Sequence, residues 1–328
     1  MNRMRVFITG ATGFLGGAIA CALAREGGEV HALARATSDR SRLAGVNINW
    51  HEGDVTAPSS LSDVVPRADW IVHAAGHLGE FGVRKEVYQR VHVDGTRNVL
   101  AAALRSGCQT RVLQVSTAGV LGLTPNAPAV EDSPYAPTNP YERSKTAAER
   151  VALAFAAQGL PVIICRPAFV YGPGDRHVLG LFQAVRRGRF FFVEGGRHKC
   201  HPTFIADAVA GMLQCLRRGR PGAVYHIAGP RPVTFRELGE TIAAALGVRP
   251  PRLTLARWTA MLAAAGLEIL GRMSGKKPPL SRAGVAFFSE DRHYSWQRAH
   301  DELGYTPEVD LAAGVARTIE WYRERGWL

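Results

Sequence analysis

Residues 6–17 read VFITGATGFLGG, with Gly10, Gly13 and Gly16 three apart, directly after the apolar run RVFIT and at the start of a helical pattern over 13–26. A strand, a glycine turn and a helix in that order constrain the fold more than any other feature of the chain. One glycine lets the chain reverse sharply, a second lets backbone approach a pyrophosphate, and a third lets helix and sheet pack closely. The helix N-terminus then offers free N–H groups and a positive dipole to phosphate. An ordinary glycine-rich strand-to-helix turn is the plainer alternative, and the rest of the sequence weighs against it.

The first half of the chain repeats this alternation. The runs RVFIT, EVHALA, VNINWHE, WIVHAA, RVLQVS and PVIICR are strand-like, and longer helical patterns lie between them, as at 83–106. Apolar strands alternating with helices predict a parallel sheet with helical crossovers, covered on both faces. After Arg166 the rhythm loosens into shorter elements separated by YGPGD, EGGRHK and AGPRP. One more sheet strand, AVYHIA, precedes a helix expected over 234–246, where Thr234 and Glu237 have capping-box spacing. The expected architecture is α/β, a doubly wound parallel sheet of the Rossmann type with a smaller C-terminal lobe for substrate. The cofactor domain is expected over 1–171 plus about 201–228, and the lobe over about 172–200 and 229–328.

A chain of 328 residues can bury a core of that size. Its formal charge of +12 is carried almost wholly by arginine, since only five lysines occur. The arginines are spread through every segment, and no nucleic-acid-binding signature accompanies them, so nucleic acid is not an expected partner. An anionic cofactor or a membrane surface suits the same sign. The five cysteines, Cys21, Cys108, Cys165, Cys200 and Cys215, are scattered with no CxxC, which argues for free thiols in a reducing compartment and against a disulfide framework or a metal site. The start MNRMRVFITG runs straight into a strand, so a cytoplasmic location is expected, with membrane association left open.

A second constellation, YERSK, spans Tyr141 to Lys145. Residues four apart share a helix face. An ammonium beside a phenol favours phenolate and brings its pKa down from about 10, which makes a usable acid or base. Thr117 ends the strand RVLQVST, where its hydroxyl can project over the reactive end of a bound cofactor.

Together these features resemble the extended short-chain dehydrogenase/reductase family, nearest its 3β-hydroxysteroid dehydrogenase-like branch. The resemblance extends over TGATGFLG, EGDV, HAAG, DGTRNVL, VSTAGVLG, PYERSK, RPAFVYGPGD, HPTFIADAV and ELGYTPEVDL, nearly the whole chain. It implies hydride transfer with Tyr141 as the catalytic acid/base and Thr117 hydrogen-bonded to the reacting oxygen. Lys145 lowers the tyrosine pKa and holds the nicotinamide ribose. Gly10, Thr12, Gly13, Phe14, Leu15 and Gly16 form the pyrophosphate loop. Asp54 and Val55 flank the adenine. Ala74, Ala75 and the backbone from Pro167 to Val170 line the nicotinamide. The family usually has asparagine where this chain has His92 in HVDGTRN, and His92 is expected to replace that amide's hydrogen bonds, with an ordinary helix residue as the alternative. Family members often pair through the helices corresponding to 83–106 and 141–158, so a homodimer is open.

The end of the second strand bears on cofactor choice. In EVHALARATSDR no carboxylate stands at Leu33 or Ala34, and Arg35 and Ser38 follow. An acidic residue there serves the ribose 2′-hydroxyl of NAD, whereas arginine accommodates the 2′-phosphate of NADP. NADP(H) is therefore expected ahead of NAD(H), with Asp39 folding back as the alternative.

Three functions are weighed. The first is a reductase or dehydrogenase on a bulky hydrophobic alcohol or ketone, sterol-like or a long-chain 3-oxo compound. The second is a nucleotide-sugar epimerase or dehydratase, and the third a non-catalytic cofactor sensor. Nucleotide-sugar members commonly grip a diphosphate with an arginine where this chain, aligned on Asp207, has Cys200 in CHPTFIAD, although Arg197, Lys199 or Arg292 could compensate. The most apolar stretch, 253–273, is interrupted by Arg257 and Glu268 and is too short to span a bilayer. It is expected to be a helix buried in the second lobe, with a greasy entrance or membrane contact as the alternative, helped by GRMSGKK at its end.

Overall fold

The computed structural model describes residues 3–79, 82–107, 110–275 and 278–328. Cys108 and the two lysines of GRMSGKK lie outside the described residues. The remaining four cysteines are free.

Seven strands form one parallel sheet: β1 (Arg5–Thr9), β2 (Glu29–Ala34), β3 (Asn49–Glu52), β4 (Trp70–His73), β5 (Arg111–Val115), β6 (Val162–Pro167) and, later in the chain, β11 (Val224–Ile227). Each coincides with a run expected to be a strand, β6 reaching one residue beyond PVIICR to Pro167. The spatial order is β11-β6-β5-β4-β1-β2-β3, so the winding reverses between β1 and β4. At such a reversal the strand ends open a crevice for a ligand.

Helices α1 (Phe14–Arg25), α2 (Lys85–Tyr88), α3 (Gly95–Arg105), α4 (Pro140–Ala156), α5 (Leu179–Arg186), α6 (Ile205–Arg218), α7 (Phe235–Leu246), α8 (Arg257–Ser274), α9 (Arg282–Phe288), α10 (Gln297–Leu303) and α11 (Leu311–Glu324) complete the chain. Alternate strand residues point to opposite faces. Val6 and Ile8 therefore pack with α1, α6 and α10 residues such as Ile19, Met212 and Leu303. Phe7 packs on the other side with Val99 and Leu100 of α3 and Ala152 of α4. A third apolar cluster joins Phe182 of α5, Leu238 and Ile242 of α7, and Ile319 and Tyr322 of α11.

Short strands frame this second assembly: β7 (Phe169–Tyr171) beside β10 (Pro202–Phe204), β9 (Lys199–Cys200) beside β12 (Val233–Thr234), and β8 (Phe192–Val193) beside β13 (Thr254–Leu255).

Three local expectations change. The helical pattern at 83–106 is interrupted, because residues Gln89–Asp94 adopt a wide π turn between α2 and α3. The Thr234 hydroxyl accepts from the Glu237 N–H at 3.0 Å, but the Glu237 carboxylate turns away to Arg231, so the forward half of the capping box forms. The apolar segment is a helix, α8, but it is not buried: Trp258, Leu262, Ile269, Leu270 and Met273 are all exposed. Its inward residues are Ala260, Ala264, Glu268 and Gly271. Among the described residues no helix is long and apolar enough to cross a membrane.

Candidate active site

Gly10 follows β1 with φ of +77°, a left-handed conformation that suits glycine. A side-chain carbon there would stand 2.6 Å from the Ala74 carbonyl, so the glycine loop and the end of β4 are in direct contact. Gly13 donates its N–H to the Gly10 carbonyl at 3.0 Å and serves as the N-cap of α1. A carbon on Gly16 would run into the same carbonyl, which ties the first turn of α1 to the loop. No side chain caps α1. Its first-turn N–H groups, behind Thr12 and in the turn begun by Phe14 and Leu15, therefore face outward from a cradle that side chains would fill. These residues fit a pyrophosphate-bearing cofactor.

Around that cradle stand the other expected contacts. Ala74 N–H donates to the Thr9 carbonyl at 3.2 Å and Ala75 N–H to the Thr9 hydroxyl at 3.2 Å. His73, beneath them, bonds Thr9 and Thr96 through its two ring nitrogens, and burial pulls its pKa down to about 3. Gly53 N–H bonds the Ala34 carbonyl, bringing the Asp54–Val55 turn beside the end of β2, next to Arg35. The Asp54 carboxylate accepts from the N–H and hydroxyl of Thr56, and the Val55 carbonyl accepts from the Asn98 amide. Arg35 is exposed, and its carbonyl accepts from the Ser38 N–H. The Asp39 carboxylate is used on the Ser41 N–H at 2.9 Å. Pro167 ends β6 against Ile227, and Val170 pairs with Thr203.

Helix α4 begins where the sequence dictates. Asn139 caps it by accepting from the Glu142 N–H, and Pro140 occupies the first turn. Tyr141 thus sits at the head of the helix, with its hydroxyl hydrogen-bonded to Thr117. The Thr117 hydroxyl also accepts from the Gly119 N–H at 3.2 Å. Lys145, one turn on, is buried and donates to the Val115 carbonyl at 2.7 Å.

The electrostatics differ from the expectation that Lys145 lowers the tyrosine pKa. Burial raises the Tyr141 phenol above its usual value, and the Thr117 hydrogen bond pulls it partway back. The ammonium is spent on a backbone carbonyl, and its own pKa drops to about 8 through burial.

His92 occupies the π turn and is fully engaged. The His77 N–H donates to its Nε2 at 3.0 Å, and its Nδ1 lies 2.8 Å from the Ser144 hydroxyl. That hydroxyl donates to the Tyr141 carbonyl at 2.7 Å, so Nδ1 carries the hydrogen and the ring is neutral. Burial pulls its pKa down to about 2. The ring also meets Tyr141 edge-on at 5.6 Å. A bland helix position is excluded. Like asparagine, the imidazole both accepts and donates.

Sequence reasoning missed two buried ion pairs that anchor α4. Arg166 of β6 forks onto Glu149 through Nε and Nη2 at 3.0 and 2.8 Å, and the Tyr135 hydroxyl joins the same carboxylate. Arg292 bonds Glu142 at 2.6 Å and Glu290 at 2.9 Å. Neither pairing has a short-range signature, since the partners come from distant elements. Apolar strand context around Arg166 was the available hint, because a buried arginine requires a partner.

The resemblance noted in the sequence is borne out by comparison with known proteins. The profile of the NAD-dependent epimerase/dehydratase family matches residues 6–228. The chain belongs to this family. It is an NAD(P)-dependent enzyme of the extended short-chain dehydrogenase/reductase type. It is 29% identical to 2-alkyl-3-oxoalkanoate reductase of Stenotrophomonas maltophilia, over 96% of this chain and 98% of that one. It is also 29% identical to sterol-4-alpha-carboxylate 3-dehydrogenase, decarboxylating, of Saccharomyces cerevisiae, over 85% of this chain and 84% of the other. The crystal structure of a dTDP-glucose 4,6-dehydratase from Streptomyces venezuelae with NAD bound superposes with a TM-score of 0.80 at 28% identity, over 99% of this chain and 98% of that one.

Proposed function

We propose that this family member is an NADP(H)-linked oxidoreductase that interconverts a secondary alcohol and a ketone on a bulky, largely hydrophobic substrate. When bound, the nicotinamide supplies or accepts the hydride at the oxygen-bearing carbon. In the reductive direction Tyr141 Oη gives its proton to the developing alkoxide, and in the oxidative direction it takes the alcohol proton. A phenol raised by burial is the protonated donor that reduction needs. Thr117 orients the reacting oxygen through its hydroxyl. Lys145, buried beneath, holds the nicotinamide ribose. Gly10, Thr12, Gly13, Phe14, Leu15 and Gly16 cradle the pyrophosphate, Asp54 and Val55 bracket the adenine, and Ala74, Ala75, Pro167 and Val170 border the nicotinamide. Residues 1–171 with about 201–228 serve the cofactor, and the remainder mainly serves substrate.

The substrate reading is carried by how the second lobe fills the places where a nucleotide diphosphate needs cations. Cys200 is buried, with its thiol pKa pushed up by burial, and Arg292 is already matched by Glu142 and Glu290. Arg197 faces Glu194, and Lys199 is left exposed on β9. The segment 287–296 contributes Phe287, which stacks edge-on against Phe169 at 5.2 Å, between Pro167 and Val170 in sequence. Apolar walls suit a ligand held by buried area. Support for NADP(H) is narrower: Arg35 is exposed at the end of β2, and the Asp39 carboxylate is committed to Ser41.

The test is a binding and turnover screen of the cofactor-loaded protein against long-chain 3-oxo and sterol-like compounds beside UDP- and dTDP-sugars. Consumption of NADPH with the hydrophobic ketones is expected. Turnover of a nucleotide sugar without net change at the nicotinamide band would replace the reading. For the cofactor, the ratio of kcat/KM with NADPH to that with NADH should fall in Arg35→Ala, and an unchanged ratio refutes the assignment.

A further inference from the structure

Helix α8 is packed the wrong way round for a protein surrounded by water. Its inward face is made of Ala260, Ala264, Gly271 and one carboxylate, Glu268, which is buried against Arg282 at 2.9 Å. Its large apolar side chains point out. Trp258, Leu262, Ile269 and Met273 are spaced four, seven and four apart, which lays them along one stripe of the helix. Their exposures are 68, 65, 58 and 80%. Leu253 and Leu270 extend the patch. Six of the ten exposed large hydrophobic residues among those described therefore lie within 21 positions of one another. A contiguous patch of this kind marks an interaction surface.

The charge around it selects the partner. Residues 249–282 hold seven basic side chains and one acidic one, half of the net charge of +12. The acidic one is the buried Glu268. Arg257 and Arg272 lie on the same helix as the apolar stripe, Arg257 also facing Glu290 at 3.5 Å, and Arg249, Arg252 and Arg282 are exposed in the flanking sequence. The exposed face of α8 bears no carboxylate. An apolar stripe edged with cations fits the boundary between headgroups and acyl chains of an anionic bilayer. A second copy of this chain would bring the same excess of positive charge against itself.

We propose that the outer face of α8 docks the protein on an anionic lipid surface, with Trp258, Leu262, Ile269 and Met273 entering the interface and the arginines meeting the headgroups. The inference does not depend on the substrate class.

The full-length protein is mixed with vesicles of phosphatidylcholine containing phosphatidylglycerol, and separately with vesicles of phosphatidylcholine alone. Sedimentation with the anionic vesicles is expected, weakening as salt is raised, with little or none on the neutral ones. Leu262→Gln with Ile269→Gln should lower the partition by roughly a hundredfold, each buried aliphatic side chain contributing roughly tenfold or more. Arg252→Gln should lower it roughly fivefold. A blue shift of tryptophan fluorescence on vesicle binding should be largely lost in Trp258→Phe, which keeps the helix intact. The proposal fails if the wild type stays in the supernatant with anionic vesicles at low salt, or if the double variant sediments like the wild type. It also fails if the face joins two copies instead, seen as a dimer that ignores vesicles and that the double variant turns into a monomer.

Discussion

Helices α4 and α8 are nearly equal in length, 17 and 18 residues, and both depart from the usual arrangement of apolar side chains inward and polar ones outward. Helix α4 buries Glu142, Ser144, Lys145, Thr146 and Glu149. Helix α8 buries alanine and glycine and exposes its tryptophan, leucines, isoleucine and methionine. Each departure costs stability unless something answers it. In α4 the answer is inside the molecule, where every buried charge has a partner: Glu142 with Arg292, Glu149 with Arg166, Lys145 with the Val115 carbonyl. In α8 no intramolecular partner among the described residues covers the apolar stripe. One helix violates the pattern to assemble chemistry, and the other leaves a surface for docking.

The comparison can be broken most forcefully at the head of α4. Tyr141→Phe should lower kcat by roughly 10²–10⁴, the range for a positioned acid/base, with circular dichroism and cofactor binding preserved. Retention of more than about a tenth of the activity would remove Tyr141 from the proton path.

Next in size is the buried ion pair. Glu149→Ala leaves the Arg166 guanidinium and the Tyr135 hydroxyl without their carboxylate, and should cost about 3–5 kcal/mol in chemical denaturation. A loss below about 1 kcal/mol would mean that α4 does not rely on that internal partner.

A pH profile sharpens the contrast further. Lys145 is protonated below about 8 and loses its charge above that value, because burial penalises the ammonium. If the ammonium is needed, kcat/KM falls as pH rises through about 8, by at most about tenfold per pH unit for one group. Lys145→Arg, whose guanidinium stays charged, should lack that alkaline limb whatever its overall rate. A limb that persists in Lys145→Arg assigns it to another group.

The smallest effect belongs to α8. Leu262→Gln should change stability in the absence of lipid by no more than about 0.5 kcal/mol, since the side chain it replaces is already in water. A melting temperature that falls as it does for a core substitution would show that α8 is covered after all, and the contrast between the two helices would disappear.

Much of this was written in local pattern. The six strands other than β3 coincide with largely apolar runs, because a strand covered on both faces is apolar along most of its length, whereas β3, NWHE, lies at the sheet edge and is partly exposed. The glycine loop was equally legible, since Gly10 and Gly16 stand where any side chain would strike backbone. The four-residue spacing of Tyr141 and Lys145 put both on one face of a helix. What spacing did not reveal was the direction of each side chain within that face. Lys145 turns to Val115, and the tyrosine is left to burial and Thr117.

The sequence by itself determined the alternation of strands and helices and the residue types available at the sheet's edge, since these follow from periodicity and from the steric demands of single residues. Only the tertiary structure decided which charges pair and which apolar face is left bare. Arg166 and Glu149 are 17 positions apart, and Arg292 and Glu142 are 150 apart, so each pair exists only once strands and helices have packed. The same holds for α8. Its composition is apolar nearly all round, and a sequence of that kind fits burial and exposure alike. The side on which α9 and its neighbours close over the small residues determines which stripe meets the solvent.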